Sequence, residues 1–210
     1  AAINGLKLAH TICQADTSAK VLVVSVELCT LHFQNEISED YNLSNMLFAD
    51  GAAAALVTHQ PMNGSALSIH GFYSDINDDG EKDMSWSISS SGFLMKLSSY
   101  VPNLIRMGFK GVLDKVLSHY ALDYSDLAHW AIHPGGKRIL DNIEQEFGLT
   151  NEKLEASRGV LQEFGNMSSP TILYVLKNLL EKNKQQKGQY IFTAAFGPGL
   201  TTETALLSYA

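Results

Sequence analysis

The sequence predicts an α/β protein in which helices cover both faces of a mixed sheet. Three observations predict it. Lys20 to Val26 is a nearly continuous β-branched run, the pattern of a strand covered on both sides. Val101 to Tyr120 carries apolar residues at Val101, Leu104, Ile105, Phe109, Val112, Leu113, Val116 and Leu117, the stripe of a helix laid on a sheet. Beyond residue 120, strand and helix patterns alternate to the C-terminus.

In chain order, Ala1 to Ala15 reads as a buried helix, with Ala2, Leu6, Ala9 and Cys13 on one stripe and Ile3 and Leu8 beside it. Residues 34–46 are polar and read as a loop. Gly51 to Val57 is a strand of small residues. Pro61-Met-Asn-Gly64 then breaks the chain, which divides it into residues 1–60 and 61–210. Ser65 to Tyr73 is a strand, and Leu127 to Ile132 is a short strand ending in His133-Pro-Gly-Gly136. Helices follow at Arg138–Phe147, Ser157–Phe164 and Thr171–Lys182, the last with Pro170 near its first turn. Gln189 to Ala195 and Thr202 to Tyr209 are strands flanking Gly197-Pro-Gly199.

Composition narrows the function classes. The 210 residues are 45% apolar and 18% charged, which fits a globular domain. With 15 basic against 22 acidic residues the net charge is −7, and no basic stripe is present, which argues against nucleic acid. No apolar run approaches the roughly 20 residues that span a bilayer. The two cysteines, Cys13 and Cys29, make neither a disulfide framework nor a metal spacing, so a reducing cytoplasm is expected. The chain starts without Met, already inside an apolar helix, and is expected to be part of a longer protein. Asp75-Ile-Asn-Asp-Asp-Gly80 opens like a calcium loop, but position twelve is Trp86 where Glu is required, so it reads as an acidic turn.

The glycine-punctuated segments carry the chemistry. A His on a tight Pro-Gly-Gly turn and an Asn between Gly and a Ser-rich helix start each offer a polar group where backbone approaches a ligand. Taken singly they are weak, since an isolated His or Asn is more often a satisfied structural residue. Together, HPGG-x-x-IL, FGNMSS and FGPGLT-x-ET, preceded by VELCTLHF and LFADGAAA, resemble the type III polyketide synthases, the chalcone synthase-like enzymes of the thiolase superfamily. The resemblance covers nearly the whole chain.

That resemblance implies a thiolase-like five-layered αβαβα fold with mixed sheets, of which residues 1–60 are the end of the first half and 61–210 the second. It implies a Cys-His-Asn catalytic set with His133 and Asn166 present. The Cys would lie two positions before Ala1, at the start of the first helix, where the helix dipole stabilises a thiolate. The activity implied is decarboxylative Claisen condensation of an acyl-CoA starter with malonyl-CoA, without metal or redox cofactor, in a cytoplasmic homodimer. Cys13 would sit about 22 Å down the helix from that position. Cys29 matches a cavity-lining position, with a structural thiol as the alternative; neither is the nucleophile. Phe48 matches an aromatic gatekeeper between the coenzyme A tunnel and the cavity. His32 and Met95 stand where plant members carry Thr and Phe, so long-chain starters giving alkylresorcinols or alkylpyrones are expected. Gly135, Gly136 and Arg138 match the turn beside the pantetheine tunnel. Two rivals remain open at this point: a β-ketoacyl carrier-protein synthase of the initiating type, whose His usually precedes Gln-Ala-Asn, and a non-catalytic dimerising subunit.

Overall fold

The computed structural model describes residues 1–33, 39–62, 66–90, 92–182 and 186–210. The chain runs α1 (Ala2–Ala15), β1 (Lys20–Glu27), α2 (Glu39–Leu47), β2 (Gly51–Thr58), β3 (Leu67–Ile76), β4 (Met84–Ser89), β5 (Gly92–Leu97), α3 (Val101–His119), β6 (Leu127–Ile132), α4 (Lys137–Phe147), α5 (Glu155–Phe164), α6 (Ser169–Lys182), β7 (Tyr190–Gly197) and β8 (Thr201–Tyr209). A 3₁₀ turn, Cys29–His32, follows β1.

The main sheet has the order β3-β8-β7-β6, with β6 and β7 parallel and the other pairs antiparallel. Its side chains alternate between two cores, as the period of two requires. Leu127, Trp130, Ile132, Phe192 and Leu206 pack with α3 and α4 on one side. Ala131, Ile191, Ala205 and Leu207 pack with α1 and α6 on the other. The antiparallel pair β1-β2 closes over α1 and α6 from beyond, so α1 and α6 lie between two sheets. Four layers result: helices, sheet, helices, sheet.

The eight apolar residues that define the stripe of α3 are all buried. Three expectations need correction, and one element was not foreseen. Leu8 on α1 is 63% exposed, because the buried arc of that helix is Ala2, Ile3, Leu6, Ala9 and Cys13. β1 is covered on one face only: Leu22, Val24 and Val26 are exposed while the intervening residues pack inward. The polar stretch after residue 38 is the helix α2, which lies against β5. Between residues 77 and 100 lies the β4-β5 hairpin, which the sequence reading did not anticipate. Residues 34–38, part of the polar stretch, and Asn63, Gly64 and Ser65 of the chain break lie outside the described residues. The acidic turn at Asp75–Gly80 is organised by Asn77, whose side-chain oxygen accepts from the Asp79 N–H at 3.1 Å.

Candidate active site

His133 sits at the carboxyl end of β6. Its N–H donates to Ala194 O at 2.8 Å, extending the β6-β7 ladder by one residue before Pro134, which has no N–H, ends it. The turn folds tightly: the Gly135 N–H donates to His133 O at 2.9 Å. A Cβ at 135 would stand 2.9 Å from Ile139 Cδ1 and 3.6 Å from the imidazole Cδ2, so the absence of a side chain lets the turn close on the ring.

Asn166 lies in the connection from α5 to α6, just after Gly165, whose φ of +72° favours glycine. Its backbone is clasped by a distant segment: Asn166 N–H donates to Leu47 O at 3.0 Å, and Ala49 N–H donates to Asn166 O at 2.9 Å. This parallel bridge sets Phe48 opposite Asn166 and joins the LFADG and FGNMSS segments. The Asn166 side chain is fixed in turn. Its oxygen accepts from the Ser168 N–H at 2.9 Å, and its amide donates to Gly135 O at 3.3 Å. Gly51 makes room for this arrangement, since a Cβ there would lie 2.5 to 2.8 Å from the Met167 side chain.

His133 and Asn166 are both buried and line one cavity. Burial, then the positive charge of the Ala1 amine, push the His133 imidazole down to about 4, and the Asn166 side chain beside it opposes them. The imidazole is therefore neutral at pH 7. Where the nitrogen of Ala1 is a peptide amide, the second cause vanishes.

A cavity of about 260 Å³ opens on this pair. Ala1 and Ala2, at the start of α1, line it together with His133, Asn166 and Phe48. Cys29, His32, Met95 and Gly135 line it too. Gly136 and Arg138 do not: Gly136 caps the start of α4, and Arg138 is exposed on that helix. Burial, then the negative charges of Glu27 and Asp50, push the Cys29 thiol up to about 11. Cys13 is buried in the core, where its Sγ donates to Val57 O at 3.4 Å.

Several lining residues escaped the sequence reading, and three of them matter most for the wall. Met84 and Trp86 face the cavity from β4, and the His32 ring meets Trp86 edge-on at 5.1 Å between centroids. The signal was there, since Met84, Trp86 and Ile88 alternate with Ser85, Ser87 and Ser89. Glu27, inside the VELCTLHF motif, accepts from the Ser169 hydroxyl at 2.5 Å. Among the described residues no three His, Cys, Asp or Glu gather as metal ligands, and no helix is long and apolar enough to cross a membrane.

Comparison with known proteins places this geometry. Residues 71–209 match the family described as chalcone and stilbene synthases, C-terminal domain, and residues 1–75 match 3-oxoacyl-[acyl-carrier-protein] synthase III. A Bacillus subtilis (strain 168) protein named as a chalcone synthase is 35% identical over 98% of this chain and 58% of its own length. A Mycobacterium tuberculosis (strain H37Rv) polyketide synthase-like protein of alpha-pyrone synthesis is 30% identical over 98% of this chain and 54% of its own. The crystal structure of 1,3,6,8-tetrahydroxynaphthalene synthase from Streptomyces coelicolor A3(2), a bacterial type III polyketide synthase, superposes with a TM-score of 0.90 at 29% identity. It covers 99% of this chain and 60% of that one. The chain thus spans a little over half the length of the curated relatives it matches. The layered α/β arrangement is the thiolase-like fold of these neighbours, and the chain belongs to the chalcone and stilbene synthase family of type III polyketide synthases.

Proposed function

We propose that the chain supplies the His-Asn part of a decarboxylative condensation site, and that an upstream segment of the same protein supplies the nucleophilic Cys next to the start of α1. The observation that carries this reading is the meeting of His133, Asn166 and the first residues of α1 around one cavity. A neutral imidazole is ready to take the proton of a thiol, and the thiolate formed would then hold the imidazolium beside it. The thiolate attacks an acyl-CoA starter, and coenzyme A leaves with the proton. Malonyl-CoA then enters. Its carboxylate leaves as CO₂, and the electron pair moves into the thioester as an enolate. Hydrogen bonds to the enolate oxygen come from His133 and from the Asn166 amide, which spends one N–H on Gly135 O and carries a second. The enolate carbon attacks the bound acyl group and expels the thiolate. The chemistry runs on coenzyme A thioesters and needs no metal or redox cofactor.

Phe48, fixed opposite Asn166, would gate the approach of malonyl-CoA, with Gly135 beside the pantetheine arm and Arg138 at the coenzyme A phosphates. Cys29, His32 and Met95 would line the starter pocket. With Met84 and Trp86 they make an apolar wall that suits a long acyl chain and alkylpyrone or alkylresorcinol products. Cytoplasmic location and a homodimer belong to the same reading. The test is product analysis of the whole protein with malonyl-CoA and acyl-CoA starters of increasing length. Pyrones or resorcinols from long starters support the reading; no condensation with any starter refutes it.

The match of residues 1–75 to carrier-protein synthase III favours a second reading, in which the extender is carried by acyl carrier protein. Parallel assays with malonyl-CoA and malonyl-carrier protein separate the two.

A further inference from the structure

We propose that Asp50 is a positioning residue for starter selection, holding the Cys29–His32 turn of the starter pocket in register with the Phe48–Asn166 bridge. The inference rests on the condensation reading above. Both carboxylate oxygens of Asp50 are committed to one residue of that turn: Thr30 N–H donates to Oδ1 at 2.8 Å, and Thr30 O–H donates to Oδ2 at 2.8 Å. A carboxylate taking both donors of a single residue fixes its backbone and its side chain at once. The same bonds hold the Asp50 carboxyl below its ordinary range, so it stays charged across the neutral range.

The turn needs such a tie, because packing supplies little of its rigidity. None of its four residues is buried, and Leu31 is 76% exposed. Among the described residues its backbone makes two short-range bonds, Leu31 N–H to Leu28 O at 3.0 Å and Phe33 N–H to Thr30 O at 3.3 Å. The His32 ring leans on Trp86 and Phe93, which are themselves half exposed. Yet this turn carries Cys29 and His32 into the cavity. Asp50 stands two residues after Phe48, just before β2, and next to Ala49, whose N–H bonds Asn166 O at 2.9 Å. The carboxylate is therefore the link between the wall that measures the starter and the bridge that holds the catalytic amide. It does not line the cavity itself.

His133 and Asn166 are anchored independently of this link, through Ala194, Leu47 and Ala49. Loosening the turn should change which starter is used and leave malonyl-CoA decarboxylation alone. The experiment uses the whole protein and measures two rates: decarboxylation of malonyl-CoA without starter, and kcat/KM for a short and a long acyl-CoA. In Asp50→Ala the long-to-short ratio is expected to shift by about tenfold, with decarboxylation within about twofold of the parent. Asp50→Asn, which keeps an oxygen for the Thr30 N–H and an amide for the hydroxyl oxygen, should restore the ratio to within about threefold. Thr30→Val should move the ratio in the same direction, and adding it to Asp50→Ala should shift it little further, since both break one link. An unchanged ratio in folded Asp50→Ala and Thr30→Val overturns the proposal. So does an Asn variant as altered as the Ala variant, or decarboxylation lost in step with condensation. Should the parent itself fail to decarboxylate malonyl-CoA, the condensation reading falls, and this inference with it.

Discussion

His133 is kept neutral by its surroundings: burial first and the Ala1 charge second hold it at about 4, against 6.5 for a free imidazole. The sign of the linkage follows. The folded value is the lower one, so the unfolded chain takes the proton first as pH falls. The stability that neutral His133 contributes is complete above about pH 6.5 and is lost towards about pH 4. Urea midpoints measured across that window should fall more steeply for the parent than for His133→Gln, and parallel curves would show that the burial is not felt. Cys29 illustrates the opposite case. Burial and two neighbouring carboxylates hold its thiol protonated, which suits a wall and not a nucleophile. The sequence made His133 and Asn166 legible through their motifs, but their meeting at one cavity joins residues 33 positions apart and is a property of the fold.

At the scale of elements, the long-period signals were the readable ones. All eight residues of the α3 stripe are buried, and β6 has the bounds read from the sequence, because each element packs a full face against the sheet. The β4-β5 hairpin was missed for a physical reason: Met84 and Trp86 line a cavity and Ile88 is exposed, so no apolar face is sealed in a core and the strand looks polar in composition while obeying a period of two. The β-branched run of β1 signalled a strand correctly but could not say which of its faces the chain itself covers. The clasp between Leu47–Ala49 and Asn166 was also illegible, since parallel bridges over more than a hundred residues leave no local trace. Gly51 tests that clasp. A Cβ there meets Met167 at 2.5 to 2.8 Å from its Sδ, Cγ and Cβ, so the backbone beside Asn166 must move. Gly51→Ala should lower stability by about 1–3 kcal/mol by the cost of overpacking, read from denaturant midpoints. A midpoint unchanged from the parent would mean that Met167 rearranges freely.

At the scale of the molecule, the four layers end in an apolar face. Leu22, Val24, Val26 and Leu56 on the outer side of β1-β2 are each more than half exposed, a patch that calls for a cover. Because the relatives are longer than this chain, the proposed upstream segment is the natural cover, and it would bring the Cys to the start of α1 in the same act. The 210-residue chain should bind an apolar dye strongly, and the whole protein should not; equal dye binding by both would leave this face without that role. The central claim concerns the proposed site: that His133 and Asn166 would stabilise an enolate formed from malonyl-CoA. Its most direct measurement is CO₂ release from malonyl-CoA, without starter, by the whole protein and by its His133→Ala and Asn166→Ala variants. Each variant is expected to lose about a hundredfold or more of the rate, the scale set by removing one preorganised donor. Release at the parent's rate by either folded variant would contradict the account.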